Sequence, residues 1–340
     1  MTLGLGYKAL LFATFWTLQA QALVPVLRYY DASKTLKKEH YYVLAQDSTK
    51  MHGNFLQYDK QGNLLHKGQF KYGKKEGVFE QYYNNGTIQS RKTYVKGQLE
   101  GNVDVFYANG ALKQSAVFSK GMPTGEVRTY YENGQLQSQL RFTQGYPEGV
   151  LEQYYENGQR KTSMPQKAGQ AHGKVISYWQ NGQPKSLKYY IKGQPSGVFE
   201  TYYENGVLAS IGHYTQGQYE GALRHYYNSG QLQYEALFKQ GQLTGKAYHY
   251  FANGKLQRYT KSCKRKRKSI AYDQNGKIES VNQFRNNKRT EKRYDIHNNR
   301  ILKAHYVNNA LHGKWIGYFP ETKKHIKRRY HKGTLIKEKK

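Results

Sequence analysis

The sequence has a single cysteine, Cys263, among its 340 residues. Because a disulfide needs two cysteines, no intramolecular bridge can form, even in an oxidising compartment. Cys263 is therefore either an incidental residue or, beside its lysine and arginine neighbours, a reactive thiol or an intermolecular disulfide partner. Prolines number only seven, and 37% of the residues are hydrophobic. So few aliphatic residues exclude a thick globular core and favour a thin sheet covered by the 34 tyrosines.

No stretch of the repeated region shows the 3.6-residue period of an amphipathic helix, because its apolar residues alternate with polar ones. Glycine instead recurs every 24 residues, a period typical of stacked supersecondary units. The longest glycine ladder is Gly62, Gly86, Gly110, Gly134, Gly158, Gly182, Gly206, Gly230 and Gly254. Two further ladders share this period, one of them beginning at Gly53 and the other at Gly73. The glycines therefore mark turns in a repeat array, which disfavours disorder.

Each repeat contains two strand-like runs joined at a ladder glycine, most often as Asn-Gly. Asn-Gly between such runs is the strongest short hairpin signal and predicts a type I′ turn with positive φ at both residues. The position seven residues before the turn glycine is apolar, as at Phe79 and Phe199. An aromatic column lies on the opposite face, four residues before the turn glycine. Its candidate binding members are Tyr130, Tyr154, Tyr178, Tyr202 and Tyr226.

The repeat from Gly197 to Gly206, GVFETYYENG, followed by Tyr214 and the pair Gly217 and Gly221, resembles the bacterial variant of the MORN repeat. That variant builds the YwqK-type antitoxin family. The resemblance implies an all-β fold, a role in protein or lipid interaction, and neutralisation of a partner without catalytic residues. We expect an elongated, twisted antiparallel meander of about twelve repeated β-hairpins.

The chain divides into four predicted regions. Residues 1–22 are a predicted signal peptide, and residues 23–52 are a divergent N-terminal cap repeat. Residues 53–254 hold the regular 24-residue repeats, and residues 255–340 hold divergent, strongly basic repeats and a C-terminal cap. Residues 160–185, which carry Pro165 and Pro184, break the pattern. Repeat drift explains this break, and the alternative is a kink or bulge that divides the ribbon and offers a partner a binding site.

The apolar run ALLFATFWTL, from Ala9 to Leu18, follows Lys8 and precedes the small residues Ala20 and Ala22. This order is typical of a secretory signal peptide. The run is too short to cross about 30 Å of hydrocarbon, so it disfavours a membrane anchor. The sequence therefore predicts export, to the periplasm, the envelope or the outside of the cell.

The net charge is +31, and the C-terminal region is its most basic part. Five consecutive cations repel one another unless solvent or an anion screens them. These candidate anion-binding residues are Lys264, Arg265, Lys266, Arg267 and Lys268. A solvated charged surface is the alternative. Export disfavours nucleic acid as the ligand, and no nucleic-acid-binding signature is present.

The sequence offers no convergent catalytic constellation, cofactor motif or metal site. Acidic residues recur at one repeat position, including Glu80 and Glu200, as expected for pairing with Lys or Arg across strands. His225 and His249 share another repeat position. Equivalent residues of successive repeats lie two strands apart, roughly 10 Å, which is too far for both to bind one zinc ion. We expect these histidines at an edge or a turn.

Taken together, these patterns predict an exported, non-enzymatic repeat scaffold that binds a protein partner, such as a toxin or an envelope protein, as an antitoxin or immunity protein would. The alternative is an envelope- or membrane-associated structural protein whose basic C-terminal repeats bind anionic lipid or polysaccharide.

Overall fold

The computed structural model describes residues 22–263, 265–295, 297, 299–319 and 322–339. All regular structure in these residues is β-strand, which confirms the all-β prediction. The predicted signal peptide lies outside the described residues apart from Ala22. Contacts divide the chain into two compact units, Met1–Met122 and Pro123–Lys340, called unit one and unit two below.

Unit one contains eight strands, and each pairs antiparallel with the next along the chain. They are β1 Leu23–Tyr29, β2 Lys37–Leu44, β3 Asp47–Tyr58, β4 Leu64–Lys71, β5 Lys74–Tyr82, β6 Ile88–Val95, β7 Gln98–Phe106 and β8 Leu112–Ser119. This succession of hairpins is the predicted meander.

Unit two contains the remaining strands, of which β9 begins at the last residue of unit one. They are β9 Met122–Tyr130, β10 Leu136–Thr143, β11 Tyr146–Tyr154, β12 Arg160–Lys167, β13 Gln170–Ala171, β14 Gly173–Tyr178, β15 Pro184–Ile191, β16 Gln194–Tyr202, β17 Leu208–Thr215, β18 Gln218–Tyr219, β19 Gly221–Tyr226, β20 Leu232–Lys239, β21 Gln242–Tyr250, β22 Leu256–Cys263, β23 Lys266–Tyr272, β24 Ile278–Arg285, β25 Lys288–Tyr294, β26 Arg300–Val307, β27 Ala310–Leu311, β28 Gly313–Phe319, β29 Lys324–His331 and β30 Thr334–Lys339. Neighbouring strands again pair antiparallel, and the two-residue strands β13, β18 and β27 share their partner with the strand that follows.

The Asn-Gly turns differ from the predicted type I′ geometry. Gly206 has a φ of 83°, whereas Asn205 is not in the positive-φ region. The Gly206 N–H donates to the Tyr203 carbonyl at 2.9 Å, and the Tyr203 N–H donates to the Val207 carbonyl at 2.9 Å. These bonds enclose a three-residue loop, a type I turn followed by a left-handed glycine. The prediction was wrong because Asn205 Oδ1 accepts the Val207 N–H at 3.1 Å. This side-chain bond favours the type I conformation at Asn205 over the positive φ of a type I′ turn.

Type I′ turns are present at the other ends of the strands, away from the Asn-Gly turns. Lys192 and Gly193, with φ of 49° and 76°, form a two-residue loop between the paired residues Ile191 and Gln194. The glycine ladder that begins at Gly53 does not mark turns at all. Gly197, with a φ of 84°, lies inside β16 where the register with β15 shifts, so this ladder marks β-bulges.

One face of the unit-two sheet carries a buried column of side chains and is called the core face below. Phe199, Leu223 and Ala236 are at most 6% exposed; Phe199 and Leu223 both lie over Gly212 of the intervening strand β17, and Leu223 pairs with Ala236. The Phe199 and Tyr214 rings lie 4.9 Å apart between centroids. Such cross-strand contacts stabilise each repeat against its neighbours. The apolar position predicted seven residues before the turn glycine is therefore the core position.

The tyrosine or tryptophan three residues before a turn glycine links its repeat to the next one in several repeats. The Tyr203 hydroxyl donates to the Tyr226 carbonyl at 2.7 Å, and the Tyr155 hydroxyl donates to the Tyr178 carbonyl at 2.8 Å. Trp179 fills the same position and donates its indole N–H to the Tyr202 carbonyl at 3.1 Å. These side chains therefore serve the stacking of repeats within unit two.

Residues 160–185 do not interrupt the sheet. The strands β12, β14 and β15 pair in sequence through this segment, and Pro165 lies opposite Val150 in the ladder between β11 and β12. The His172 N–H donates to the Pro165 carbonyl at 2.9 Å, so the chain stays hydrogen-bonded at the break between β13 and β14. The segment therefore does not divide the ribbon, although β13–β14 carries extra residues opposite β12, as at a β-bulge.

Candidate functional site

The five predicted binding tyrosines all lie on one face of unit two, opposite the core face. Each one is the last residue of its strand: Tyr130, Tyr154, Tyr178, Tyr202 and Tyr226 end β9, β11, β14, β16 and β19. All five are half-buried. Because another strand lies between successive members, their rings are spaced at about 10 Å along the sheet. We call this surface the tyrosine face.

Acidic side chains hold some of these tyrosines in place. The Tyr202 hydroxyl donates to Glu200 at 2.5 Å. This bond, with burial and the nearby carboxylate charge, raises the pKa of Tyr202 to about 12. In unit one the Tyr82 hydroxyl donates to Glu80 at 2.7 Å, and Arg91 donates to the same carboxylate at 3.0 Å. The Glu80–Arg91 pair confirms the predicted cross-strand pairing, while Glu200 uses a tyrosine instead.

An exposed apolar row, which the sequence reasoning missed, accompanies the tyrosines on this face. Strand alternation places Val150 and Val198 on the same face as Tyr154 and Tyr202, four residues away. The row consists of Val150, Tyr189, Val198 and Leu237, which are 43%, 41%, 43% and 52% exposed. The sequence does contain a pattern for this row, because both of its valines stand eight residues before their turn glycine.

The predicted cationic cluster does not converge on one site. Lys264 lies outside the described residues, and Arg265 is in the turn before β23. Alternation along β23 directs Lys266 and Lys268 to the tyrosine-face side of the sheet and Arg267 to the core-face side. The Arg267 guanidinium stacks over the Phe284 ring at 4.3 Å. Consecutive cations in a strand therefore serve two different surfaces.

A basic cleft of about 580 Å³ forms around the first of these surfaces. Its cationic lining comes from neighbouring strands, and no carboxylate contributes to the lining within the described residues. The residues that define the basic cleft are Lys261, Cys263, Lys266, Lys268, Arg285 and Lys288. Cys263 is exposed at this cleft and is unpaired.

His225 and His249 lie inside strands β19 and β21, so their predicted place at an edge or a turn is wrong. The Tyr234 ring separates them, at 5.5 Å from the His225 ring and 4.5 Å from the His249 ring. Burial lowers the pKa of both imidazoles, and for His249 the Arg258 charge adds to this effect. Among the described residues, no group of three or more His, Cys, Asp and Glu side chains is arranged to hold a metal ion.

In the part of the chain that the structure describes, these features define an antiparallel β-hairpin repeat protein with extended surfaces and open clefts. Its repeats match the MORN repeat variant in seven segments, so the chain contains repeats of this type. The matched segments are residues 75–96, 123–144, 147–167, 171–192, 195–216, 219–240 and 243–260. No curated protein matches the sequence.

Two solved structures illustrate the structural likenesses. The crystal structure of TcdB2-TccC3 is 12% identical in sequence, with a TM-score of 0.18, over 92% of this chain and 22% of that chain. The crystal structure of TcdB2-TccC3 without hypervariable C-terminal region is 10% identical, with a TM-score of 0.17, over 93% of this chain and 22% of that chain. This chain thus spans 22% of the length of these structures.

No helix among the described residues is long and apolar enough to cross a lipid bilayer.

Proposed function

We propose that the chain is an exported, non-enzymatic repeat scaffold that binds a protein partner through the tyrosine face of unit two. The exposed apolar row is the observation that carries this proposal. Val150, Val198 and Leu237 are each more than 40% exposed on a surface that also presents tyrosines. Protein interfaces combine apolar contacts of this kind with tyrosine side chains.

The chemistry of the tyrosine face favours a protein over a small molecule. The surface is extended and repetitive, whereas small-molecule sites are concave and enclose most of their ligand. Its tyrosines are anchored by the sheet, as Tyr202 is by Glu200, so little side-chain freedom is lost on binding. A partner with its own apolar patch would cover the row and leave the tyrosine hydroxyls near its rim.

Export and an antitoxin or immunity role are further parts of this proposal. Export is supported by the apolar run Ala9–Leu18, and the antitoxin role by the resemblance of the repeats. Amino-terminal sequencing of the protein recovered from the cell envelope tests export, because cleavage after Ala22 is expected. Protection of cells that express a candidate toxin tests the antitoxin role.

Affinity capture from the native host with the full chain tests the protein-binding proposal. Changing Val150, Val198 and Leu237 together to Asp should abolish capture of a specific partner. Burial of one aliphatic side chain contributes roughly 1.5 kcal/mol or more, so three losses weaken binding by more than about a hundredfold.

The matched control makes the same change at exposed valines of unit one, Val78→Asp and Val117→Asp, which are 47% and 41% exposed. These changes should leave capture intact. Equal loss of the partner with both sets of variants, or with neither, contradicts the assignment to the tyrosine face of unit two.

A second candidate function is binding to anionic lipid or polysaccharide in the envelope, and the basic cleft favours it. Lys261, Lys266, Lys268, Arg285 and Lys288 line this cleft. Each lysine near an anionic membrane contributes about 1 kcal/mol, which salt screening weakens. The variant Lys266→Gln/Lys268→Gln should therefore bind acidic vesicles about thirtyfold less tightly.

Vesicle co-sedimentation at two salt concentrations measures this effect. The control variant is Lys174→Gln/Lys239→Gln, which removes two exposed charges outside the basic cleft. Equal binding to neutral and acidic vesicles, or binding that does not respond to salt, would sink the membrane candidate.

A further inference from the structure

The core face carries polar residues in place of apolar ones in the C-terminal repeats. Along the regular repeats the core column is apolar, as at Leu223, Ala236 and Ala247. Cross-strand pairing continues this column through Thr260, Ser269, Asn282 and Glu291. The core positions of these repeats are therefore occupied by polar residues. A pocket of about 300 Å³ lies over Thr260, Ser269 and Asn282.

Three arginines line this pocket. Arg258 stands two residues from Thr260 on β22, and Arg267 and Arg289 come from β23 and β25 on either side of Phe284. Arg267 stacks on Phe284 at 4.3 Å, and Arg289 stacks on Tyr306 at 3.9 Å. Ring stacking of this kind holds guanidinium groups in fixed positions. The pocket thus has a polar floor and arginines that are already oriented.

The positive charge in this pocket is only partly balanced. Glu291 is the nearby carboxylate, and its two oxygens contact Arg293 Nε at 2.7 Å, the Tyr306 hydroxyl at 3.1 Å and Arg289 at 3.6 Å. The Arg289 Nε is buried and has no hydrogen-bond partner among the described residues. An unpaired buried donor carries a free-energy cost that an acceptor would remove. No carboxylate lines the pocket itself within the described chain.

We infer that this pocket binds a tetrahedral oxyanion, a phosphate or sulfate group. Planar guanidinium groups pair with such oxygens through two parallel hydrogen bonds, which favours a phosphate or sulfate over a single-atom anion such as chloride. Ser269 and Asn282 supply polar groups on the pocket floor. The pocket opens on the core-face side of the sheet and the basic cleft on the other side, and Arg267 and Phe284 contribute to the lining of both.

Isothermal titration calorimetry of the full chain with inorganic phosphate, and then with sulfate, tests the inference. One saturable site is expected. Arg258→Gln removes charge from the rim, and Ser269→Leu fills the pocket without changing its charge. Each should weaken phosphate binding by about tenfold or more, because a charge-assisted contact or the space for the anion is lost.

Lys246→Gln is the matched control, because it removes one exposed charge from the opposite face of the neighbouring strand β21, outside both the pocket and the basic cleft, and should leave phosphate binding unchanged. Circular dichroism verifies that each variant keeps its β-sheet signal. The absence of saturable binding, unchanged binding in Ser269→Leu, or equal weakening by Lys246→Gln and Arg258→Gln would overturn the inference.

Vesicles of phosphatidylcholine with and without phosphatidic acid form a second arm of this experiment. Binding of inorganic phosphate that Ser269→Leu abolishes assigns the pocket to a soluble oxyanion. Binding only to phosphatidic acid vesicles, again abolished by Ser269→Leu, assigns it to a phosphate in a lipid headgroup. Vesicle binding that Ser269→Leu leaves unchanged does not involve the pocket, and together with a lack of saturable phosphate binding it overturns the inference.

Discussion

Adding one methyl group at Gly212 should destabilise unit two measurably. A Cβ atom built on Gly212 would lie 2.6 Å from Phe199 Cε1 and 3.1 Å from Leu223 Cδ1, closer than ordinary van der Waals contact. The φ of Gly212 is not in the positive region, so the cost of Gly212→Ala comes from crowding alone. Overpacking of this kind costs about 1–3 kcal/mol.

The repeats themselves supply a compensating change. Phe199 pairs with Gly212 across β16 and β17, while the equivalent pair in unit one is Val103 with Ala116. Phe199→Val alone leaves a cavity and should cost about 2–4 kcal/mol. In the double variant Phe199→Val/Gly212→Ala, the added methyl fills part of that cavity. The double variant should therefore be more stable than the sum of the single effects predicts by at least about 1 kcal/mol.

Urea unfolding followed by far-ultraviolet circular dichroism measures these effects for the wild type, the two single variants and the double variant. Repeat proteins can unfold in parts, so the midpoint of the transition and the fitted free energy are both compared. Strictly additive effects, or a Gly212→Ala variant as stable as the wild type, would refute the packing of Phe199 against Gly212.

Three further predictions concern unit two. Tyr203→Phe loses the hydroxyl bond to the Tyr226 carbonyl and should lower the free energy of urea unfolding by about 0.5–1.5 kcal/mol; an unchanged value contradicts this role. Burial lowers the pKa of His225 and His249, so below about pH 6.5 the unfolded chain binds more protons than the folded chain does. The free energy of unfolding should therefore decrease as the pH is lowered. Thermal unfolding at pH 7 and pH 5 should show a smaller loss in His225→Gln/His249→Gln, and an equal loss excludes these groups as its cause. Lys192→Asn suits the type I′ turn and should raise the melting temperature, since asparagine tolerates positive φ better than lysine; a lower value would argue against that turn.

Much of the fold could be predicted from the sequence because the same local pattern repeats. Strand alternation placed Phe199 and Tyr202 on opposite faces, which the structure confirms, and the structure adds that the Phe199 side is the core face. The turn type was mistaken because Asn205-Gly206 fits two hairpin loops, and only hydrogen bonds distinguish a two-residue from a three-residue loop.

The basic cleft and the polar pocket were harder to predict, because they depend on the pairing register of the strands. The sequence defines that register poorly where the 24-residue period changes. Strand alternation separates Arg267 from Lys266 and Lys268, and the prediction of one cluster of five cations did not apply that alternation. The polar pocket was missed for a different reason. Asn282 joins the core column only through its pairing with Ser269, after the turn spacing has changed from 24 to 22 residues.

Site-specific photo-cross-linking in the native host tests the central claim, binding of a protein partner by the tyrosine face, most directly. A photoreactive phenylalanine analogue replaces Val198 in one strain and the equivalent unit-one residue Val78 in another; both valines are exposed. The proposed function predicts a discrete cross-linked protein from position 198 and none from position 78. No adduct from position 198, or the same adducts from both positions, would contradict it.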